Sequence, residues 1–152
     1  VSPFFAHTQQ SAFQRKLEQQ AKSLGNRVQF TGYIPNEDLP DYYRLADLCC
    51  VPTLVEEAAG LVAVEAMACG LPVVGSNEGG LPEFINSQVG TLVSPEDEES
   101  FCAAILNELT RHHTEPERRD IIAHYASSNF AQAQFVAKLE QVYQRAVRDF
   151  SS

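Results

Sequence analysis

The stretch VEEAAGLVAVEAMACGLPVV, Val55 to Val74, decides how the rest of the chain is read. From Gly60 to Cys69 it reads as a helix that is apolar nearly all round, the pattern of a helix packed inside a domain. Gly70 terminates it, and a short apolar strand follows in LPVVGSN. Glu65 is the only charge in that helix. An unpaired buried carboxylate is costly, so it must become neutral, find a partner or meet water. Two readings follow. Glu65 meets solvent or a basic neighbour, or it accepts hydrogen bonds from a ligand's hydroxyls, as acidic residues do with a ribose diol.

Upstream, SAFQRKLEQQAKSL (Ser11 to Leu24) places apolar residues at helical spacing, with Gly25 where a helix C-cap is expected. RVQFTGY alternates like a short strand and breaks at Gly32. NEDLPDYYRLA offers Asn36 as an N-cap, acids in the first turn and an early, tolerated Pro40. DLCCVPT is a short apolar run, read as a buried strand. Downstream, EGGLPEFI suggests a Gly-rich turn into one helical turn, and VGTLVSP another strand. Ser94 or Asp97 could cap the helix EESFCAAILNELT. From Pro116 to Phe150 the pattern is helical, with Phe135, Leu139, Val142, Tyr143 and Val147 on one long apolar face. That face reads as core or as a cover for a partner domain. Strands that are short and apolar on both sides, alternating with helices, predict an α/β fold: a Rossmann-like parallel sheet with helices on both faces.

The length, 152 residues, suits a single domain, 1–152, with room for a real core. A formal net charge of −9 argues against nucleic acid as a partner. No run approaches the roughly 18 apolar residues of a membrane span. Cys49, Cys50, Cys69 and Cys102 lack metal-site spacing and are read as buried free thiols of a reducing, cytoplasmic setting. His112 and His113 follow the helix with EESFCAAILNELT and read as cations favoured by its C-terminal dipole. No metal site is expected, since no carboxylate or Cys stands at ligand spacing from them.

Ligands in such sheets bind at the carboxyl ends of the strands, in loops leading into helices. The loop before Gly60 is of that kind and carries Glu57. The first N–H groups of the helix, at Gly60, Leu61 and Val62, favour an anion such as a diphosphate. One loop therefore offers an anion cradle, a carboxylate beside it and a second carboxylate deeper along the helix. That suits an elongated ligand with sugar, diphosphate and ribose.

EEAAGLVAVEAMACGLPVVGSNEGGLPEF resembles the signature of retaining GT-B glycosyltransferases, in particular glycosyltransferase family 4. That signature has two glutamates separated by seven residues, then AMA-x-G-x-PVV and a GG-x-x-E turn, and Glu57 and Glu65 have its spacing. The resemblance extends upstream through NRVQFTGYIPNEDLPDYYRLADLCCVPT and covers roughly Gly25 to Leu109. It implies the C-terminal, donor-binding half of a GT-B fold, lacking its first strands. It also implies a transferase that moves a sugar from a nucleotide-sugar to a glycan or lipid-linked acceptor, with no metal or other cofactor. By position, Glu57 would lie against the transferred sugar and serve as the catalytic residue by positioning and electrostatic stabilisation rather than as a general base. Glu65 would bind the ribose hydroxyls, and the backbone of Gly60, Leu61 and Val62 the phosphates. Ile34 would sit near the nucleobase, with Asn36 as a further contact.

Two departures bear on this. Ala59 stands where the family has an aromatic residue, which leaves the donor-sugar pocket roomier. The family's first two strands and their diphosphate-gripping basic pair are not visible ahead of Ser11, and Arg15, Lys16, Lys22 and Arg27 read as helix-surface charges. The acceptor-binding N-terminal domain is also not represented. The chain is thus expected to be a fragment or a truncated relative, weakly active or inactive alone, prone to self-association. The full-length protein would be cytoplasmic or peripheral at an inner membrane. The rival reading is a non-catalytic nucleotide-binding or scaffold module of the same fold, and a third is a sugar-nucleotide epimerase.

Overall fold

The computed structural model describes residues 12–54 and 60–150. The chain divides into two compact units, Val1–Leu39 and Pro40–Ser152.

In the first unit, α1 (Ala12–Lys22) is followed by a 3-10 turn at Gly25–Arg27. Gly25 takes φ +58, a left-handed conformation that glycine adopts without a Cβ penalty. The alternating RVQFTGY segment forms no ladder. It is extended at Val28 (φ −123, ψ 129), yet no described segment pairs with it. Alternation fixes which side chains share a face, but a strand also needs a neighbouring backbone. Asn36 is not a helix cap. It lies in a turn in which the Asp38 N–H donates to the Pro35 carbonyl at 3.0 Å, and α2 (Leu39–Leu45) begins three residues later.

The second unit is built on a parallel sheet with the order β1 (Cys49–Val51), β2 (Val73–Ser76), β3 (Gly90–Val93). Cys49 pairs with Val73, and Val73 with Gly90. The crossover from β1 to β2 contains α3 (Leu61–Ala68), and that from β2 to β3 contains the single turn α4 (Leu81–Phe84). Beyond β3 come α5 (Glu98–Thr114), α6 (Arg118–Phe130) and α7 (Gln132–Phe150).

Side chains alternate across a strand, so neighbouring valines of β2 serve different layers. Val73 packs with Val51, Met67 of α3 and Ile122 of α6. Val74 packs with Val93 and Ala104 of α5 on the other face. Helices therefore cover both faces, as the short doubly apolar strands require. Asp97 is the N-cap of α5, its side chain accepting from the Ser100 N–H at 2.9 Å.

The helical tail is broken. Ala131 leaves helical geometry (φ −62, ψ 146) and separates α6 from α7. None of α7 is buried, and Phe135, Leu139, Val142, Tyr143 and Val147 all stay exposed, so its apolar face is not core. Helical periodicity makes a face apolar but does not decide whether it is buried. The cysteines are free, as expected, but not buried: Cys49 and Cys69 are half-buried, Cys50 and Cys102 exposed. Cys49 and Cys50 lie on β1, an edge of the sheet, Cys69 at the end of α3 and Cys102 on the outer side of α5. Burial, then Cys50, still pushes the Cys49 thiol up to about 11, so it stays protonated at neutral pH.

Candidate functional site

The carboxyl ends of the strands gather the functional candidates of the second unit. α3 begins there at Gly60, whose φ of +50 is left-handed. A Cβ on Gly60 would lie 2.8 Å from Leu81 Cδ2 and 3.7 Å from Phe84 Cδ2. The glycine therefore lets α4, and the Gly79–Gly80 turn that precedes it, close against the start of α3. Gly79 reverses the chain at φ +58. The Ala63 N–H donates to the Gly60 carbonyl at 2.9 Å, while the N–H groups of Leu61 and Val62 have no acceptor within their own helix. Both side chains are exposed, Leu61 by 62%. This end of the helix faces solvent and carries the partial positive charge of its dipole.

Glu65 lies on the same side one turn further along, about 6 Å down the axis from Leu61. It is exposed, and this answers the question its charge raises: α3 is not apolar all round where it meets water. The Tyr43 hydroxyl of α2 donates to Glu65 Oε2 at 3.2 Å. Burial first, and then the Glu65 charge, raise the Tyr43 phenol well above its ordinary value, so it remains a donor. Tyr43 was not legible as a site residue. It is one of two adjacent tyrosines in DYYRLA, and only the packing of α2 tells them apart.

Leu61, Val62 and Glu65 are thus exposed along one side of α3, and Gly60, at its start, is buried against Leu81. Glu57 and Ala59 lie outside the described residues. Ile34, half-buried, and Asn36, exposed, belong to the first unit. The basic residues considered for phosphate, Arg15, Lys16, Lys22 and Arg27, are exposed, also in that unit.

A crevice of about 720 Å³ opens beside the same strand ends, between Leu54, Glu78 and the segment Ser94–Glu98. Glu78, Glu96 and Glu98 make it acidic, so an anion is better served by the start of α3. Ser76, at the end of β2, is 1% exposed and its hydroxyl has no partner among the described residues, which leaves it without the base a nucleophile needs. His112 is not a helix-end cation. Burial, then the Arg119 guanidinium, lower its imidazole pKa, and Arg119 Nε donates to its Nε2 at 3.3 Å. No cluster of potential metal ligands occurs among the described residues.

A parallel α/β sheet with its open helix start at the carboxyl edge defines a Rossmann-like domain. The model of the family described as "Glycosyl transferases group 1" matches residues 7–111, and the chain belongs to that family. It is 33% identical to D-inositol 3-phosphate glycosyltransferase 2 of Catenulispora acidiphila over 88% of this chain and 31% of that protein. Sucrose-phosphate synthase from Thermosynechococcus elongatus superposes with a TM-score of 0.79 at 32% identity, over 98% of this chain and 37% of the other. Anabaena HepE in complex with UDP superposes with a TM-score of 0.66 at 29% identity, over 89% and 36%. The chain spans about a third of the length of these relatives.

Proposed function

We propose that this chain is the donor-binding domain of a retaining glycosyltransferase of family 4, in an enzyme that transfers a sugar from a nucleotide-sugar to a glycan or lipid-linked acceptor. The observation that carries this reading is the face of α3. A left-handed glycine opens the helix, two N–H groups lack helical acceptors, and an exposed carboxylate sits one turn below them. A diphosphate spans about the distance from such a helix start to a ribose, and Glu65 can accept from both ribose hydroxyls. Family membership and the likeness to a protein crystallised with UDP support the same reading.

In this reading the N–H groups of Gly60, Leu61 and Val62 stabilise the charge that grows on the departing diphosphate, with no metal or other cofactor taking part. Glu57 lies against the transferred sugar, and Ile34 and Asn36 attend the base. The acceptor belongs to a further domain of the kind that the remaining two thirds of the relatives' length can accommodate, and the protein works in the cytoplasm. No helix among the described residues is long and apolar enough to cross a membrane.

Calorimetric titration of this chain with UDP, GDP and ADP, beside Glu65→Ala, tests the reading. One diphosphate should bind, and Glu65→Ala should weaken it by about 1–3 kcal/mol. Binding that ignores Glu65→Ala would remove the ribose contact. No binding at millimolar nucleotide would leave the scaffold module as the better account.

A further inference from the structure

Glu65 stands on an exposed helix face, where a glutamate side chain ordinarily samples several rotamers. Recognition of two vicinal hydroxyls asks for the opposite, a carboxylate whose plane is set before the ligand arrives. The only hydrogen bond to the Glu65 carboxylate among the described residues comes from Tyr43, at Oε2. It leaves Oε1 and the second lone pair of Oε2 free to accept.

Tyr43 is itself firmly seated. Its ring packs on the buried cluster that contains Ala63 and Met67, together with Cys49 and Val64. The end of α2 closes in a local turn and is tied to α6. The Ala46 N–H donates to the Tyr43 carbonyl at 3.2 Å, and Arg119 of α6 donates to the Ala46 carbonyl at 2.5 Å. Immediately beyond, the Cys49 N–H donates to the Pro72 carbonyl at 3.0 Å, which fixes the start of β1. The phenol therefore approaches Glu65 from a rigid support rather than from a mobile surface.

We propose that Tyr43 is a positioning residue of the nucleotide site, its hydroxyl holding the Glu65 carboxylate in the orientation that receives the two ribose hydroxyls. This rests on the reading of Glu65 as the ribose ligand. Tyr43 touches no part of the nucleotide; it acts through Glu65. Because burial and the Glu65 charge keep the phenol protonated, the contact persists across the neutral range.

The test compares the chain with Tyr43→Phe, which removes one oxygen and keeps the packed ring, by titration with UDP, GDP or ADP, whichever binds, and with its 2′,3′-dideoxy counterpart. Tyr43→Phe should weaken the ribonucleotide roughly three- to tenfold and leave the dideoxynucleotide unchanged. In the Glu65→Ala background it should have no further effect, and thermal melting should show the fold retained. Equal weakening of both nucleotides, or a loss that persists in Glu65→Ala, would assign Tyr43 a merely structural role and overturn the proposal. So would a Tyr43→Phe chain that binds both as tightly as the parent. Should Glu65→Ala itself leave the preference for the ribonucleotide intact, the ribose reading of Glu65 is wrong, and the role of Tyr43 falls with it.

Discussion

Arg118 Nη2 donates to Glu108 Oε2, and both side chains are shut off from water, Glu108 at 0% exposure and Arg118 at 2%. Thr91 of β3 donates to the other oxygen of Glu108 at 2.6 Å, and Arg111 approaches that oxygen to 3.6 Å. Glu115 joins from the far side, 3.3 Å from Arg118 Nη1. The cluster ties β3, α5 and α6 together with charge placed inside the domain.

Removing Arg118 leaves the buried Glu108 carboxylate with the Thr91 hydroxyl and only the longer approach of Arg111 to balance its charge. Arg118→Met is therefore expected to lower stability by about 3–5 kcal/mol in urea unfolding. The double variant Arg118→Met with Glu108→Leu should recover part of that loss, since apolar residues of similar size carry no desolvation cost. A double variant as unstable as the sum of the two single changes would show that the residues do not act as a pair.

Two glycines separate local strain from sheet disruption. Gly60→Ala would occupy a left-handed backbone at about 1–2 kcal/mol and press on the flexible end of Leu81, so it should destabilise moderately. Gly90→Ala places its Cβ 2.0 Å from the Val73 carbonyl oxygen, inside the β2–β3 ladder. Backbone cannot step aside as a side chain can, and Gly90→Ala should be the more destabilising of the two by urea midpoint. The reverse order would mean that the sheet tolerates a shift of register there.

His112 gives the fold a pH dependence. Its imidazole is held below the ordinary 6.5 by burial first and then by Arg119, with Asp47 opposing. As the pH falls past that ordinary value, the unfolded chain takes up the proton before the folded one, so stability declines toward acid. Asp97 and Glu115 are lowered as well, by the bonds to Ser100 and Arg111 respectively, and add a loss of the same sign below the ordinary carboxylate range. The urea midpoint should drop between about pH 7.5 and about pH 5.5, and His112→Gln should flatten that part of the profile. An unchanged slope would remove His112 as the cause.

The apolar face of α7 predicts association. Phe135, Val142, Tyr143 and Val147 are each more than half exposed on one helix, an arrangement that favours contact between molecules. Sedimentation velocity should show species that grow with concentration, and Phe135→Ser with Val142→Ser should reduce them. Identical behaviour of the two chains would place any association elsewhere.

Much of the second unit was legible. The apolar run between Gly60 and Gly70 marked α3, three short apolar runs marked β1, β2 and β3, and Asp97 announced the cap of α5. Of the candidate site, the start of α3 and the carboxylate of Glu65 within it were legible, because both are local in sequence. Its support was not, for Tyr43 precedes Glu65 by 22 residues and meets it only when α2 packs beside α3.

The buried carboxylate was sought in the wrong helix. Glu65 interrupts an apolar sequence yet faces water, whereas Glu108 follows Phe101, Ala104 and Ile105 at helical spacing and so falls on the inward stripe of α5. That spacing was the available signal. The sequence by itself determined the run of α3, the three short strands of the sheet and the parallel α/β class, since periodicity, glycines and caps act within a few residues. Tertiary structure alone decided which apolar faces find cover, which carboxylate is buried and which tyrosine holds Glu65. Those outcomes depend on what stands opposite a face, and no local pattern contains that.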